Sequence, residues 1–230
     1  MTDAHYHRDG YATFLSLGER EFRFYGLHPW EAARAGRAPY QGADASARRP
    51  YHGEYVAELW AALAVDPHAG VGEIGLDRLK EKTISPTQRT AFATQLEVAA
   101  EFGRPAVLHG AKCWGEVVAA CRPYAGRIPA FLFHGFSRSG GLLPEIVALN
   151  GFVGVGAALL NDHAVNYREL VREMPIERVV VETDADYGRA GARPSLEEIL
   201  CKLAELRGVE PAALEAVVDA NAARFVEALA

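Results

Sequence analysis

The sequence predicts a distorted (β/α)8 barrel with a metal site at the C-terminal ends of its strands. Three observations carry that expectation. Short apolar runs alternate with amphipathic segments, the pattern of parallel strands joined by right-handed helical crossovers. Four of these runs lead into a metal-binding side chain: Glu73 after Val71, His109 after Pro105 to Leu108, His134 after Ala130 to Phe133, and Asp184 after Arg178 to Val181. Finally, no glycine-rich nucleotide fingerprint or phosphate loop follows any strand, which speaks against an open doubly wound sheet. In a barrel such strand ends ring one mouth, whereas in an open sheet they spread along an edge.

The elements follow in order. Met1 to His7 reads as the tail of a first strand or as a polar, frayed terminus; in a strand, Asp3, His5 and His7 share one face. Tyr11 to Leu17 fits a strand or a short helix. Glu21 to Tyr25 alternates polar and aromatic residues, a strand leading into Gly26 to Trp30. Glu31 to Gly53 is rich in Ala, Arg, Gly and Pro and reads as an irregular excursion at the mouth. Its Arg34, Arg37, Arg48 and Arg49 are solvated loop charges or phosphate contacts. Glu54 to Ala64 has helical spacing, and Val71 opens the strand that carries Glu73. Ser85, Pro86 and Gln88 form a capping box for a helix whose stripe is Phe92, Leu96, Ala99 and Ala100, up to Gly103.

Pro105 opens the next strand. Helices are expected at Gly115 to Cys121 and Leu142 to Leu149, with the strand segment Ala130 to Phe136 between them. Gly151 to Gly156 is a short glycine-bearing strand. A helix over Val165 to Glu173 precedes the strand Val179 to Glu182. Ser195 and Glu198 repeat the capping box for a helix with Ile199, Leu200, Leu203 and Leu206 on one face, and Pro211 opens the last helix. Seven strands are clear, and the eighth is the segment near Phe14.

A chain of 230 residues, half of them apolar, can bury a substantial core as one domain over residues 1–230. Its net charge of −6 argues against broad adhesion to nucleic acid, which requires neutralising many phosphates. A phosphate held locally by metal ions is still compatible with that charge. Cys113, Cys121 and Cys201 are too few and scattered for a disulfide framework or a closed zinc site. With no apolar run long enough to span a membrane, a cytoplasmic protein is expected, and no obligate protein partner is evident.

Carboxylates and imidazoles without thiolates suit zinc, manganese, nickel or magnesium. The candidate ligands are His5, His7, Glu73, His109, His134 and Asp184. Six exceed what one catalytic zinc needs, so two divalent metal ions are expected, with the Glu73 carboxylate bridging them.

The ordered set Asp3-x-His5-x-His7, Gly26 to Pro29, Gly72 to Asp77, Gln88-Arg89, Leu108-His109, His134 to Ser137, Glu182 to Asp184 and Asn221 to Phe225 resembles the TatD family of metal-dependent deoxyribonucleases in the amidohydrolase superfamily. That resemblance spans nearly the whole chain. It implies a distorted (β/α)8 barrel, two divalent cations and hydrolysis of phosphodiester bonds in DNA, often from the 3′ end. It also implies that His5 and His7 with Asp184 hold one ion and His109 with His134 the other. The interval from His7 to His28 is shorter than in longer members, which fit an extra helix and strand there. Trp30 stands where they carry histidine. Gly110 to Lys112 replace the usual Ser-Arg-Asp, and Ala185-Asp186 replace a small residue and proline. The metal core therefore transfers better than the DNA-contacting rim.

Glu73 and Asp184 are expected to be catalytic, with Asp184 orienting a metal-activated hydroxide or accepting its proton. His28, Lys112 and Arg138 are expected to touch substrate, the alternative for His28 being a histidine that bonds a local carbonyl. Lys112, Arg78 and Arg138 are phosphate contacts or solvated loop charges, while Glu182 faces the barrel or braces a ligand. Cys113 reads as a packed thiol, and His52, His68 and His163 as loop residues without assigned function. Trp30 packs at the mouth or stacks on a base. Three functions fit: a DNase acting on single strands or 3′ ends, a small-molecule amidohydrolase or lactonase acting on an ester or amide with the same centre, and a metal-dependent binding protein without turnover.

Overall fold

Residues 1–8, 12–35, 52–80, 82–137, 140–186 and 195–230 are described by the computed structural model. The first three strands are β1 (Asp3–His7), β2 (Ala12–Leu17) and β3 (Arg20–Tyr25), paired antiparallel as a meander. Tyr11 to Leu17 therefore contains a barrel strand, but a reversed one, so the expected uniform parallel pairing fails here. The turn between β2 and β3 is tight, with Gly18 at a φ of 59°. No helix intervenes between β1 and β3 among the described residues.

From β3 onward the chain alternates as expected. The helices α1 (Pro29–Ala35) and α2 (His52–Val65) precede β4 (Gly70–Asp77). The excursion expected at Glu31 to Gly53 thus begins and ends in helix, and His52 belongs to α2 rather than to a loop. Pro29 suits a first helical turn, where no N–H bond is lost. Next come α3 (Pro86–Phe102), β5 (Ala106–Ala111), α4 (Trp114–Cys121) and β6 (Phe131–Phe133). Then α5 (Leu143–Ala148), β7 (Gly151–Val155), α6 (Val165–Glu173) and β8 (Val179–Val181) lead to α7 (Leu196–Arg207) and α8 (Pro211–Phe225).

The sheet runs β1 to β8 in chain order, parallel from β3 to β8. Beyond β8 the chain returns to β1: the Asp184 amide donates to the His5 carbonyl (3.0 Å), and the His7 amide to the Ala185 carbonyl (2.8 Å). These bonds bring the two edges together as a barrel. Because β2 alone is reversed, β1 and β3 to β8 all point at one mouth.

Period-two alternation divides the core. Leu15, Phe24, Val107, Leu132, Phe152 and Val180 gather in one cluster with Phe225, Val226 and Leu229 from the C-terminal end. Phe225 stacks on Phe24 with ring centroids 5.7 Å apart, filling the barrel from below. The alternate residues Ala106, Leu108, Phe131, Phe133, Val153, Val179 and Val181 belong to a larger cluster with the surrounding helices. Asn221, buried on α8, donates to the carbonyls of Ile176 and Val179 and so ties the plug to β8. Among the described residues no helix is long and apolar enough to cross a membrane.

Asp3 locks the seam. Its Oδ1 accepts the Thr183 amide (2.9 Å) and its Oδ2 the Thr183 hydroxyl (2.6 Å), across the junction of β1 and β8. Burial raises the Asp3 carboxyl to about 6, above its unfolded value, despite those two bonds. The protonated acid therefore favours folding: its contribution is complete below about pH 4 and is lost as pH rises through about 6. Asp3→Asn, which cannot ionise, should gain stability relative to the wild type over that window. The gain at neutral pH should be on the order of 2 kcal/mol, followed by thermal unfolding of chelator-treated protein. A difference between the two proteins that stays flat from pH 4 to pH 7 would contradict this account.

Candidate metal centre

The alternation that lines the barrel also selects what its mouth presents. Two residues beyond Val107 lies His109, and two beyond Leu132 lies His134. Two beyond Phe152 lies Gly154, and two beyond Val180 lies Glu182. Each continues the inward-facing register of its strand. His5 and His7 come from β1, and His28 follows β3. Glu73 lies in the middle of β4 rather than at its end, at a register shift between Val71 and Ile74 that contains a cis peptide between Gly72 and Glu73. The chain leaving β3 passes against this bulge so closely that a Cβ on Gly26 would stand 2.6 Å from the Gly72 carbonyl carbon.

Glu73 is almost fully buried, and five imidazoles surround it. Its Oε2 faces His5 Nε2 (3.5 Å) and His7 Nε2 (3.7 Å). Its Oε1 faces His28 Nε2 (3.6 Å), His109 Nδ1 (2.6 Å) and His134 Nε2 (3.3 Å). Asp184 closes the first group, its Oδ1 lying 3.4 Å from His7 Nε2 and 3.7 Å from His5 Nε2. Among the described residues, three trios have potential ligand atoms within 4.8 Å of one another: His5, His7 and Asp184; His5, Glu73 and His134; and His28, Glu73 and His109. His109 and His134 both meet Glu73 but fall in different trios.

These separations bear on whether a cation fits. Two ligand atoms bound at about 2.0–2.2 Å to one tetrahedral ion stand roughly 3.3–3.6 Å apart. Most contacts of the cluster lie in or close to that range, too long for good hydrogen bonds. His109 sits on Glu73 at a clear hydrogen-bonding distance. His5 is fully buried, and neither of its ring nitrogens has a hydrogen-bond partner among the described residues. A buried imidazole left so is costly unless something else engages it. The donor set, five imidazoles and two carboxylates without a thiolate, suits a divalent ion of intermediate hardness.

The electrostatics are mutually compensating. Burial alone would raise the Glu73 carboxyl, but His134 and His109 hold it well below the usual range. Burial would lower His134, yet the carboxylates of Glu73, Glu182 and Asp184 keep it well above the ordinary imidazole value. His7 and His109 are likewise raised by neighbouring carboxylates against the effect of burial. His5 is lowered by burial and by His134, and His28 falls to about 4, mainly through burial. Desolvation would raise Asp184, but His134 and His7 bring it down to about 2. Its side chain is 53% exposed, the most open of the cluster.

Behind the imidazoles stands a layer of polar groups. His109 meets Asp77 Oδ2 through Nε2 at 2.9 Å, while Asp77 Oδ1 accepts the amides of Leu79 and Lys80. His134 meets Glu182 Oε1 through Nδ1 at 3.2 Å, and the same oxygen accepts the Gly135 amide at 2.7 Å. Glu182 therefore takes the bracing position anticipated for it. Gln95 grips Leu27 by both its amide and its carbonyl, fixing the segment that carries His28. Gln88 does not close the anticipated capping box; its side chain instead accepts the Asp77 amide at 3.0 Å. Ser85 caps α3 alone, whereas the box at Ser195 and Glu198 is complete.

The six expected ligands thus meet at one mouth, with His28 beside them. Lys112 occupies the turn between β5 and α4 at a φ of 58° and lines a cavity of about 700 Å³ that includes His109, His134 and Asp184. Arg78 is taken up by an ion pair with Glu116. Arg37, Arg48, Arg49 and Arg138 lie outside the described residues. Cys113 is a packed thiol, buried and pushed up to about 12 by desolvation. His68 bonds the Leu229 carbonyl, far from the mouth. Sequence reading passed over Asp77 and Gln95 and misread Gln88. Their signal was present: Gln88 and Gln95 are polar residues seven apart on the apolar stripe of α3, where only a satisfied amide is tolerated.

A family model described as TatD related DNase matches residues 4–227. The 3′-5′ ssDNA/RNA exonuclease TatD of Klebsiella pneumoniae (strain 342) is 32% identical over 179 residues, 72% of this chain and 68% of that protein. The protein of the same description from Cronobacter sakazakii (strain ATCC BAA-894) is 30% identical over 187 residues, 76% of this chain and 71% of that one. Among solved structures, the TatD homologue YJJV from Escherichia coli K12 superposes with a TM-score of 0.68 at 20% identity, covering 88% of this chain and 76% of that one. A TatD family hydrolase from Entamoeba histolytica gives 0.65 at 16% identity, covering 88% and 73%. At these identities the structural likeness speaks for the fold.

Gly154 tests the brace behind His134. A Cβ there would stand 2.1 Å from Glu182 Oε2 and 2.4 Å from its Cδ, so the carboxylate must move. Overpacking of this kind costs about 1–3 kcal/mol. Gly154→Ala should lower the denaturation midpoint accordingly, and more than Gly115→Ala, where an added Cβ has nothing within 4 Å. Equal midpoints in denaturant titrations of the two variants would show that Glu182 is not held as described.

Proposed function

The chain belongs to the TatD related DNase family, and from that premise we propose that it is a metal-dependent hydrolase that cleaves phosphodiester bonds at the 3′ ends of single-stranded nucleic acid. The observation that carries this reading is the division of Glu73, whose two oxygens face separate sets of imidazoles. On this reading residues 1–230 form one catalytic domain. His5, His7 and Asp184 with Oε2 would hold one divalent cation, and His109 and His134 with Oε1 a second. Zinc, manganese, nickel and magnesium are all compatible with these donors.

The chemistry that such cations supply is Lewis acidity, which acidifies water near neutral pH and offsets charge on a phosphoryl group. Every other part falls to the chain. Asp184, ionised and the most exposed of the acids, orients the attacking water and accepts its proton. Glu73 is held as a carboxylate by its imidazoles and keeps the two halves of the centre in register. Asp77 and Glu182 fix the rings of His109 and His134, the arrangement by which outer groups set the orientation and basicity of ligating histidines. His28 and Lys112, which follow β3 and β5 at the mouth, would contact the phosphate, and Arg138, four residues beyond His134, is assigned the same role from its place in the sequence. Support for the nucleic-acid substrate comes from the relatives described as 3′-5′ ssDNA/RNA exonucleases.

Single-stranded DNA labelled at its 5′ end and incubated with the protein and Mg²⁺ or Mn²⁺ should shorten progressively from the 3′ end. Turnover of a parallel ester and lactone panel with intact DNA would replace this reading by a small-molecule hydrolase. Elemental analysis should find two metal ions per chain, falling toward one in His109→Ala; no metal in either protein at saturation would remove the centre. Asp184→Asn should lower kcat by roughly 10²- to 10⁴-fold, the usual contribution of a positioned acid or base, and unchanged turnover would strip Asp184 of its role.

A further inference from the structure

Beside the metal centre, Trp30 forms a second feature of the mouth. It stands in the first turn of α1, half-buried, and its amide donates to His28 Nδ1 at 3.2 Å. His28 and His109 both meet the indole edge-on, with ring centroids 4.7 and 6.2 Å away and planes at 71°. Neither imidazole lies flat on the indole, and one face of it meets a cation instead. That face is covered by the Lys80 ammonium, 3.2 Å from the ring centroid. Lys80 is placed there by its backbone, since its amide and that of Leu79 are bound by Asp77, the carboxylate that also holds His109.

We infer that Trp30 and Lys80 form a subsite for an unpaired nucleotide adjoining the bond that is cleaved, the base stacking on the indole and the ammonium moving onto a phosphate. The inference rests on the hydrolase reading above and specifies how its substrate is chosen. Position supports it: the His28 and His109 rings each meet both the indole and Glu73 Oε1, so a base on Trp30 belongs to the nucleotide next to a phosphate at the metal centre. A cation over an exposed aromatic ring is held weakly, and stacking by a base is the stronger interaction, indifferent to base identity. A base within a duplex has both faces occupied. The subsite therefore admits single strands and frayed ends and excludes paired ones. The released ammonium is not lost, because a phosphate is a better partner for it than a ring.

The test compares an intact oligothymidylate with one carrying abasic sites at its last two 3′ positions. Stacking of this kind corresponds to roughly a five- to hundredfold effect on affinity, so KM of the wild type should rise by that factor on the abasic strand while kcat changes little. In Trp30→Ala the ratio of the two KM values should fall to about one, with Trp30→Phe between. That ratio is insensitive to how much of a variant is folded. Tryptophan emission of the wild type should be quenched on titration with the intact strand, and the quench should disappear in Trp30→Phe. Lys80→Gln should reduce the slope of log KM against log salt by about one phosphate contact. A wild-type ratio near one, or an undiminished ratio in Trp30→Ala, overturns the subsite while leaving the nuclease reading in place. Failure of the wild type to cut either strand overturns both.

Discussion

The mouth of this barrel is organised by one buried carboxylate. An ionised glutamate out of water is expensive unless positive or polarised groups meet it. Glu73 is met on both oxygens by imidazoles drawn from four other strand ends, His5 and His7 on one side and His28, His109 and His134 on the other. The compensation is mutual. The imidazoles hold Glu73 low, and the carboxylates hold His7, His109 and His134 high. Removing any one member would leave the others buried and mismatched, so their charges are coupled rather than separate.

Such a cluster keeps its geometry only if its rings cannot turn. The outer polar layer supplies that constraint. Asp77 behind His109 and Glu182 behind His134 engage the nitrogens that do not face Glu73, so each imidazole is held from both ends. Gln88 fixes the backbone of Asp77, and Gln95 fixes Leu27 next to His28. Both glutamines come from α3, which packs directly on β4. A single helix therefore controls two approaches to the centre, and Gly154 leaves the room that Glu182 needs. Here the distinction between core and site disappears, because glutamines buried in the helix packing also fix the segments that carry Asp77 and His28.

Much of this was legible in the sequence because barrels convert strand ends into neighbours. Apolar runs that lead into His109, His134 and Asp184 announce both the strands and the side chains they deliver, and the even spacing of Asp3, His5 and His7 does the same for β1. Less could be read where local pattern is overridden. Glu73 reads as lying at a strand end, yet β4 continues to Asp77, and the bulge at Gly72 and Glu73 is set by pairing with β5 rather than by composition. Gln88 follows a serine and a proline, the local signature of a cap, but a partner eleven residues earlier in the chain competes for its side chain. The helix at Pro29–Ala35 was hidden by flanking glycine, arginine and proline, which offer no period. For Glu73 and Gln88 the deciding contact lies outside the local window, and the folded chain supplies it.

The reversed strand shows how a short chain still closes the ring. Of the eight strands, β2 is the one that ends at Leu17 and Gly18 with no ligand or brace nearby. Its direction explains this, since its C-terminal end lies at the floor and not at the mouth. A hairpin return of this kind brings β3 alongside with a few residues, where a parallel neighbour would need a crossover of a dozen or more. The outer face of the hairpin carries an aromatic and cationic layer. Tyr6 stacks on Phe14 there with ring centroids 5.6 Å apart, and the guanidinium groups of Arg8 and Arg23 lie 5.3 Å from the Phe14 ring. Glu21 binds both the Tyr6 hydroxyl and Arg8. Phe14 is only 1% exposed, with Tyr6 and the stems of long cationic side chains packed against it. The arrangement keeps β1 and β3 parallel and close, and with them His5, His7 and His28 around the same carboxylate.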